Sequence, residues 1–474
     1  MQLLANLGFV LSYEDMLQIP SMTQLEAHIH QFSLHLPLAI QGDLYTSMSN
    51  SILNSAISLR GNNGVSNGSL PWENAYGSLL IPIRESIDQS AVALHQNEQR
   101  VLEHAMVAQL RRDCYLVRCL ARSVETKPKV AKDAFFSVFQ PSFPSLMALL
   151  TTYFTTIRKM ASISAPQTKT QIKSALKVVN EIVRLYAQML KSIRKEMQKE
   201  TVSEIMHTFV ETFNDSQLSG VQGNAGLMVI CGFLQLLKIV VEEPTSVFSS
   251  FLQNILDLCF GPLKELVCGV FQTIFSHPES DSVILGYFVA LVEQLLEKHY
   301  RFFIVYSGFT PDGARERGYA SDQAHTYFLS IFQSLASVLN REGSNLAPRI
   351  CKQVLGLLDR VDKAQGLFAF TGFQNELRMG FLSTLMNILT RGEMNLLQDE
   401  VIQLLHRVAA VDFASFYQVF LNGYIKEILT QPQLEAASKM EGECLQWSGQ
   451  VDLPTFSQEV VAFLNDIKVI KAQN

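Results

Sequence analysis

Three histidines stand close together near the N-terminus, at His28, His30 and His35. Imidazole is a common zinc ligand, and a helix would carry His28 and His35 on one face. No acid or thiol joins them at ligand spacing, so no metal site is expected. The glycine-rich run GNNGVSNG at 61–68 could cradle a phosphate, but it lacks the following Lys-Ser/Thr and a preceding strand. It reads as an exposed loop. The paired carboxylates Glu242-Glu243 and Asp399-Glu400 fall at expected helix ends, where solvation and the helix dipole account for them. His299 and His406 each close an apolar stripe and read as helix-end residues. No HExxH, GxSxG or phosphate-loop pattern occurs. No catalytic residue, cofactor or metal is expected, and the chain does not read as an enzyme.

The seven cysteines are scattered, odd in number and without a CxxC pair. Most lie in apolar helical stretches, which suits buried free thiols in a reducing compartment. The start of the chain lacks the basic region and small-residue cleavage site of a secretory leader. The greasiest run, 225–241, is interrupted by Gln235 and Lys238 and followed by two glutamates. A buried core helix is expected there, not a membrane span.

Charge is unevenly spread. Between Arg111 and Lys199 there are 17 Lys and Arg against 5 Asp and Glu, a local charge of +12 in a chain of −6, so the rest carries −18. A basic face for an acidic protein partner is expected, with Arg111, Arg112, Arg194 and Lys195 as its candidate residues. No aromatic-interleaved or zinc-knuckle pattern accompanies it, so nucleic acid is not an expected partner.

The elements that would carry these residues are helices. At 474 residues, 48% hydrophobic and 17% charged, the chain exceeds one ordinary core and has ample apolar surface to fold. In 245–260, Phe248, Phe251, Leu252, Ile255, Leu256 and Cys259 form one stripe. In 281–299, Asp281 is placed to cap, and Ile284, Leu285, Phe288, Leu291, Val292 and Leu295 line a face wide enough to need neighbours on two sides. The segment 395–429 reads as a helical hairpin. Leu397, Val401, Leu404, Leu405 and Val408 line its first arm, and Phe413, Phe416, Tyr417, Phe420, Leu421 and Tyr424 its second, with Asp412 capping the second. Further pairs are read at 96–125 with 132–160, 168–200 with 202–214, 220–242 with 245–260, 323–341 with 345–362, and 374–392 with 395–409.

A pair every 35–50 residues or so, with no strict consensus, predicts an all-α, HEAT-like solenoid of helix pairs over 1–474. Loops are expected at 60–72 and 307–319. The last helix, 452–471, carries Phe456, Val460, Phe463, Leu464 and Ile467 on one face, with Asp452 as its cap and Pro454 in its first turn. It is expected to close the array. This much points to a protein-binding scaffold, of which a regulatory arm of a kinase or phosphatase is one form.

Some of these residues also resemble a known family. Val411-Asp412-Phe413, Phe416 and Phe420-Leu421, followed by Asp452-Leu453-Pro454, Phe456, Gln458, Val460 and Asn465-Asp466, are similar to the closing repeats of the nuclear-export karyopherins. The segments 240–259 and 380–401 resemble the same family in the same order. The resemblance implies a receptor that takes up protein cargo with Ran-GTP in the nucleus, passes the pore through nucleoporins, and releases its load in the cytoplasm. Within the family the implied cargo is actin–profilin. Members are longer, so the chain is expected to form the C-terminal arch of a longer exportin. Tight Ran-GTP binding is then expected to need a region N-terminal to it.

Overall fold

The computed structural model describes residues 18–58, 71–161, 166–215, 223–242, 251–260, 278–309, 315–340, 348–392, 394–434 and 451–472, together with Asp15, Leu445, Trp447 and Gly449. Backbone contacts divide the chain into two compact units, Met1–Leu258 and Cys259–Asn474.

In the first unit the helices are α1 (Pro20–Ser33), α2 (Leu38–Ser58), α3 (Pro71–Gln96), α4 (His104–Ser123), α5 (Lys129–Phe139), α6 (Phe143–Ala161), α7 (Pro166–Ile193), α8 (Lys199–Asp215) and α9 (Gly223–Glu242). They stack in two layers. One runs α2, α4, α7, α9, each helix packed on the next; the other runs α3, α6, α8. In the first layer α2, α4 and α7 run parallel. Ser49 meets Ser123 and Lys127 meets Asn54 across α2 and α4. Arg118 meets Glu181 at 3.3 Å and Gln188 meets Glu125 at 3.1 Å across α4 and α7. At Gly42 a β-carbon would lie 2.6 Å from the Tyr115 ring, so a side chain there would push α2 away from α4. The apolar run at 225–241 is the core helix expected of it: Val229, Ile230, Phe233, Leu234, Leu236, Leu237, Val240 and Val241 of α9 are all buried.

After α10 (Leu252–Phe260), which spans the boundary, the second unit holds α11 (Pro278–Lys298), α12 (Tyr300–Phe303), α13 (Asp322–Leu339), α14 (Pro348–Gln365), α15 (Thr371–Glu376), α16 (Arg378–Arg391) and α17 (Gln398–Ala409). The second arm of the predicted hairpin is one continuous helix, α18, made of Phe413–Ser415, a π-helical turn Phe416–Phe420, and Leu421–Ile428. The last helix is α19 (Leu453–Ala472). Again there are two layers: α11, α14, α17 in one and α13, α16 in the other, with α19 lying against α16 and α17. Ion pairs step across the first layer. Arg360 of α14 reaches Glu293 and Glu297 of α11, and Arg407 of α17 reaches Asp359 and Asp362 of α14.

Each unit is therefore an all-α stack of helix pairs, as the periodicity predicts. The spacing differs from the expected 35–50 residues. Partners on successive helices of one layer lie 74 residues apart at Ser49–Ser123, 63 at Arg118–Glu181 and 63 at Arg360–Glu297; only the 48 at Arg407–Asp359 falls in the expected range. Extra elements lengthen the early repeats. The 3-10 turn Glu98–Leu102 precedes α4, and α5 is inserted against α3 and α7. The expected helix 96–125 is thus broken at its start.

Of the segment expected as a loop at 307–319, the described residues belong to two antiparallel strands, β1 (Ile304–Phe309) and β2 (Arg315–Tyr319), paired from Ile304↔Tyr319 to Phe309↔Arg315 with a register shift between Tyr306 and Gly308, and 310–314 lie outside the described residues. β-branched and aromatic Ile304, Val305 and Tyr306 favour a strand. Arg317 donates to the carbonyls of Gln365 and Gly366, satisfying the C-terminal end of α14, where helix carbonyls lack intrahelical donors. Tyr319 stacks on His325 at 4.2 Å and meets Phe370 edge-on at 5.1 Å. Gly372 makes room for it: a β-carbon there would collide with the Tyr319 hydroxyl.

Two smaller expectations also change. Asp281 lies inside α11, whose first residue is Pro278, and not before its start. Of the expected loop 60–72, residues 60–70 fall outside the described residues, and α3 already begins at Pro71.

The closing helix is as expected. Phe456, Val460, Phe463, Leu464 and Ile467 are buried, and Gln458, Asn465 and Lys468 are exposed. Both the backbone amide and the hydroxyl of Thr455 donate to Asp452 Oδ1, at 3.0 and 2.9 Å. These bonds, the amide's first, hold the Asp452 carboxyl below its ordinary value. The stabilisation is therefore fully present above that value and lost as pH falls through the lower, folded one. Thermal midpoints of the wild type and Asp452→Ala are expected to differ at neutral pH and to converge on acidification below the ordinary carboxylate range. A gap that persists in acid would mean that the cap does not act through its charge.

Candidate protein-binding face

The basic segment folds into α4 to α7. From Ala175 onward most of α7 is buried, because α4, α6 and α9 pack around it, while Lys169 to Ser174 are exposed or half-buried. One stripe runs along the whole surface side: Lys169, Lys173 and Lys177, then Glu181, Arg184, Gln188 and Lys191. These positions recur every three or four residues, so they share one side of the helix. On α4 the matching stripe is Arg111, Tyr115, Arg118 and Arg122. The two stripes lie side by side.

The far half of this face is electrically compensated. Glu181 binds Arg118 and lies 4.0 Å from Arg184, and Glu125 binds Lys191 at 2.9 Å. Burial is the largest single influence on Glu125 and raises its pKa. Lys191, Gln188 and Arg122 together outweigh it, so the carboxyl sits below its ordinary value. The near half differs. Arg111, Lys173 and Lys177 make no ion pair among the described residues. The Nε–H of Arg111 is buried without a hydrogen-bond partner there. The Arg118 guanidinium lies 5.0 Å above the Tyr115 ring, between the two halves.

The four residues singled out in the sequence are not brought together. Arg111 belongs to the face. Arg112 turns to the seam with α1 and α2, where it binds the buried carboxylate of Asp113 at 2.8 Å. There, with His30 and Tyr45, it lines a cavity of about 180 Å³. Burial pushes the Asp113 carboxyl above its ordinary value, against the pull of Arg112 and Ser86. Arg194 and Lys195 follow the C-terminal end of α7, roughly 30 Å along the axis from the level of Arg111 at 1.5 Å per residue. Lys173 and Lys177 were not singled out, although their four-residue spacing was the available signal.

The histidine cluster also has a structural account. Pro82 lies inside α3 and has no N–H, so the carbonyl four residues earlier, that of Ser78, loses its helical partner. His30 Nε2 lies 3.2 Å from that oxygen and therefore donates to it, while Nδ1 accepts from the Tyr45 hydroxyl at 2.7 Å. Burial holds the His30 pKa below its ordinary value. His28 and His35 are exposed. His406 Nε2 lies 2.8 Å from the Val451 carbonyl and ties the end of α17 to the start of α19. Cys114, Cys119, Cys231, Cys259 and Cys351 are free thiols. Burial pushes Cys351 up to about 11 and Cys231 up to about 12, away from nucleophilic reactivity.

Residues 296–471 match the family model described as Exportin-6, C-terminal TPR repeats. That range holds most of the second unit, from the end of α11 through α19. Over 258 residues, 53% of this chain, identity is 29% to Exportin-6-B of Xenopus laevis and 28% to Exportin-6 of Danio rerio. Over 257 residues it is 28% to Exportin-6 of Homo sapiens. In each case the match spans 21% of the relative's length, so the matched part of the chain covers about a fifth of these proteins. A solved structure of the TSC2 N-terminus aligns over 88% of this chain and 99% of its own, at 12% identity and a TM-score of 0.25, too slight a likeness to weigh. The match covers the helices, caps and aromatic contacts through which the second unit closes, and that part of the chain is similar to the C-terminal repeats of exportin-6.

Proposed function

We propose that this chain is a segment of a nuclear export receptor that binds protein cargo together with Ran-GTP and shuttles between nucleus and cytoplasm through nucleoporin contacts. By likeness to exportin-6 the cargo is actin–profilin. The observation that carries the reading is the match of residues 296–471 to the exportin-6 C-terminal repeats. The architecture suits the task. Helix pairs that touch mainly their neighbours can shift by small amounts at each step, and a ligand that favours one arrangement then shifts the population toward it. Cargo and Ran-GTP would couple in this way, each raising the other's affinity.

The complete gene product, immobilised and exposed to actin–profilin, is expected to retain it when Ran loaded with a non-hydrolysable GTP analogue is present, and to release it with Ran-GDP. Equal retention in the two nucleotide states would dismiss export and leave a general helix-pair scaffold.

A further inference from the structure

We propose that the N-terminal halves of α4 and α7 form a docking surface for an acidic protein segment, anchored by Arg111, Lys173 and Lys177. The inference takes from the preceding reading only that the chain binds proteins.

The argument starts from register. α4 and α7 are parallel, and partners across them, Arg118–Glu181 and Glu125–Gln188, are each 63 residues apart. The same offset sets Arg111 level with position 174, between Lys173 and Lys177. Lys169, Lys173 and Lys177 follow one another at four-residue intervals, about 6 Å of helix rise each. That is less than the screening length of roughly 8 Å at physiological salt, so neighbouring charges act together on a ligand. The first turn of α7 contains no acidic residue, so no carboxylate there offsets the positive end of its helix dipole, whereas Glu103 stands at the N-cap of α4 and pairs with Arg100.

Charge complementarity defines the occupant. The acids of this face, Glu125 and Glu181, are engaged at its far half. The near half then presents cations about 6 Å apart beside the half-buried Tyr115 ring. Carboxylates at every fourth position of a helix repeat at the same interval, so an acidic helical segment can meet the lysines one for one.

The test uses the full chain and a fluorescein-labelled helical peptide with Glu at every fourth position, followed by fluorescence anisotropy. No Ran and no nucleotide are present, so failure here leaves the export reading intact, and failure of Ran dependence leaves this surface intact. Saturable binding is expected, and the all-Gln version of the peptide should not bind. The double variant Lys173→Glu/Lys177→Glu is expected to weaken binding by about tenfold or more, and Arg194→Glu/Lys195→Glu, at the other end of α7, by less than about twofold. Lys173, Lys177 and Lys195 are exposed and Arg194 is half-buried, and circular dichroism confirms that each variant is folded. Absence of binding in low salt, equal binding of the Gln peptide, or equal loss from both double variants overturns the proposal. So does tighter binding of an oligonucleotide than of the acidic peptide under the same conditions.

Discussion

Replacing Phe456 by alanine is expected to lower the unfolding free energy of the second unit by about 3–5 kcal/mol. Phe456 is fully buried in the first turn of α19. Its ring lies 5.2 Å from His406, 5.7 Å from Phe416, 6.1 Å from Phe413 and 6.1 Å from Trp447. It is thus the point at which α17, α18 and α19 meet, and its removal empties a space that three helices and Trp447 would have to collapse into. Aromatic contacts of this kind add to the area buried, so the upper half of the range is the expected result. The chain has two tryptophans, Trp72 in the first unit and Trp447 in the second. Urea unfolding followed by fluorescence in a Trp72→Phe background therefore reports on the second unit. Leu396, 91% exposed, is the control. Its alanine variant should unfold with the wild type. A Phe456→Ala midpoint indistinguishable from that control would mean that α19 does not close the stack.

Arg378→Met is the second large effect. Arg378 opens α16 and is only 7% exposed. Its guanidinium donates to the Val408 carbonyl at 3.3 Å and the Asp412 carbonyl at 2.6 Å, and lies 3.9 Å from the Asp412 carboxylate. The Val408 carbonyl belongs to the last turn of α17, where a helix has no donors of its own, and the Asp412 carbonyl, which also accepts from the Phe416 amide at 3.1 Å, opens α18. Burial pulls the Arg378 pKa down, more than Asp412 raises it. Methionine fills similar space but leaves the carbonyls without a charged donor, an expected loss of about 3 kcal/mol. The same unfolding experiment measures it. Lysine at this position, with one compact ammonium, should restore part of the loss. A Met variant as stable as the wild type would show that solvent replaces the guanidinium at no cost.

Much of this fold was legible as periodicity. The stripes of α11, α17 and α19 are buried where their spacing placed them, because a helix surrounded on two sides carries a correspondingly wide apolar face. The caps were legible too: Asp412 accepts from the Ser415 amide and Asp452 from Thr455. The hairpin at 304–319 was not. Its strands are short, and much of its anchoring comes from Arg317 on α14 and from Tyr319 against His325 and Phe370, partners distant in sequence. The π-helical turn at 416–420 left no pattern, since it changes hydrogen-bond register without changing which residues are apolar. The candidate face was half legible. Net charge located the segment, but neither the turn of Arg112 into the seam with α1 and α2 nor the distance between Arg111 and Arg194 can be counted along the chain. The first depends on what packs against α4, the second on how the parallel helices α4 and α7 are shifted against each other.

That shift bears on which length changes the chain can absorb. Lys352 with Glu400, and Asp359 with Arg407, bridge α14 and α17 at the same interval of 48 residues. Extra residues in the connection between those helices would leave both bridges in phase. A single codon added within α14 between Lys352 and Asp359 would turn everything beyond it by about 100° and carry Asp359, Arg360 and Asp362 off their partners at once. Natural variation in length should therefore gather in the connectors, while the helices that carry the bridges keep their residue count.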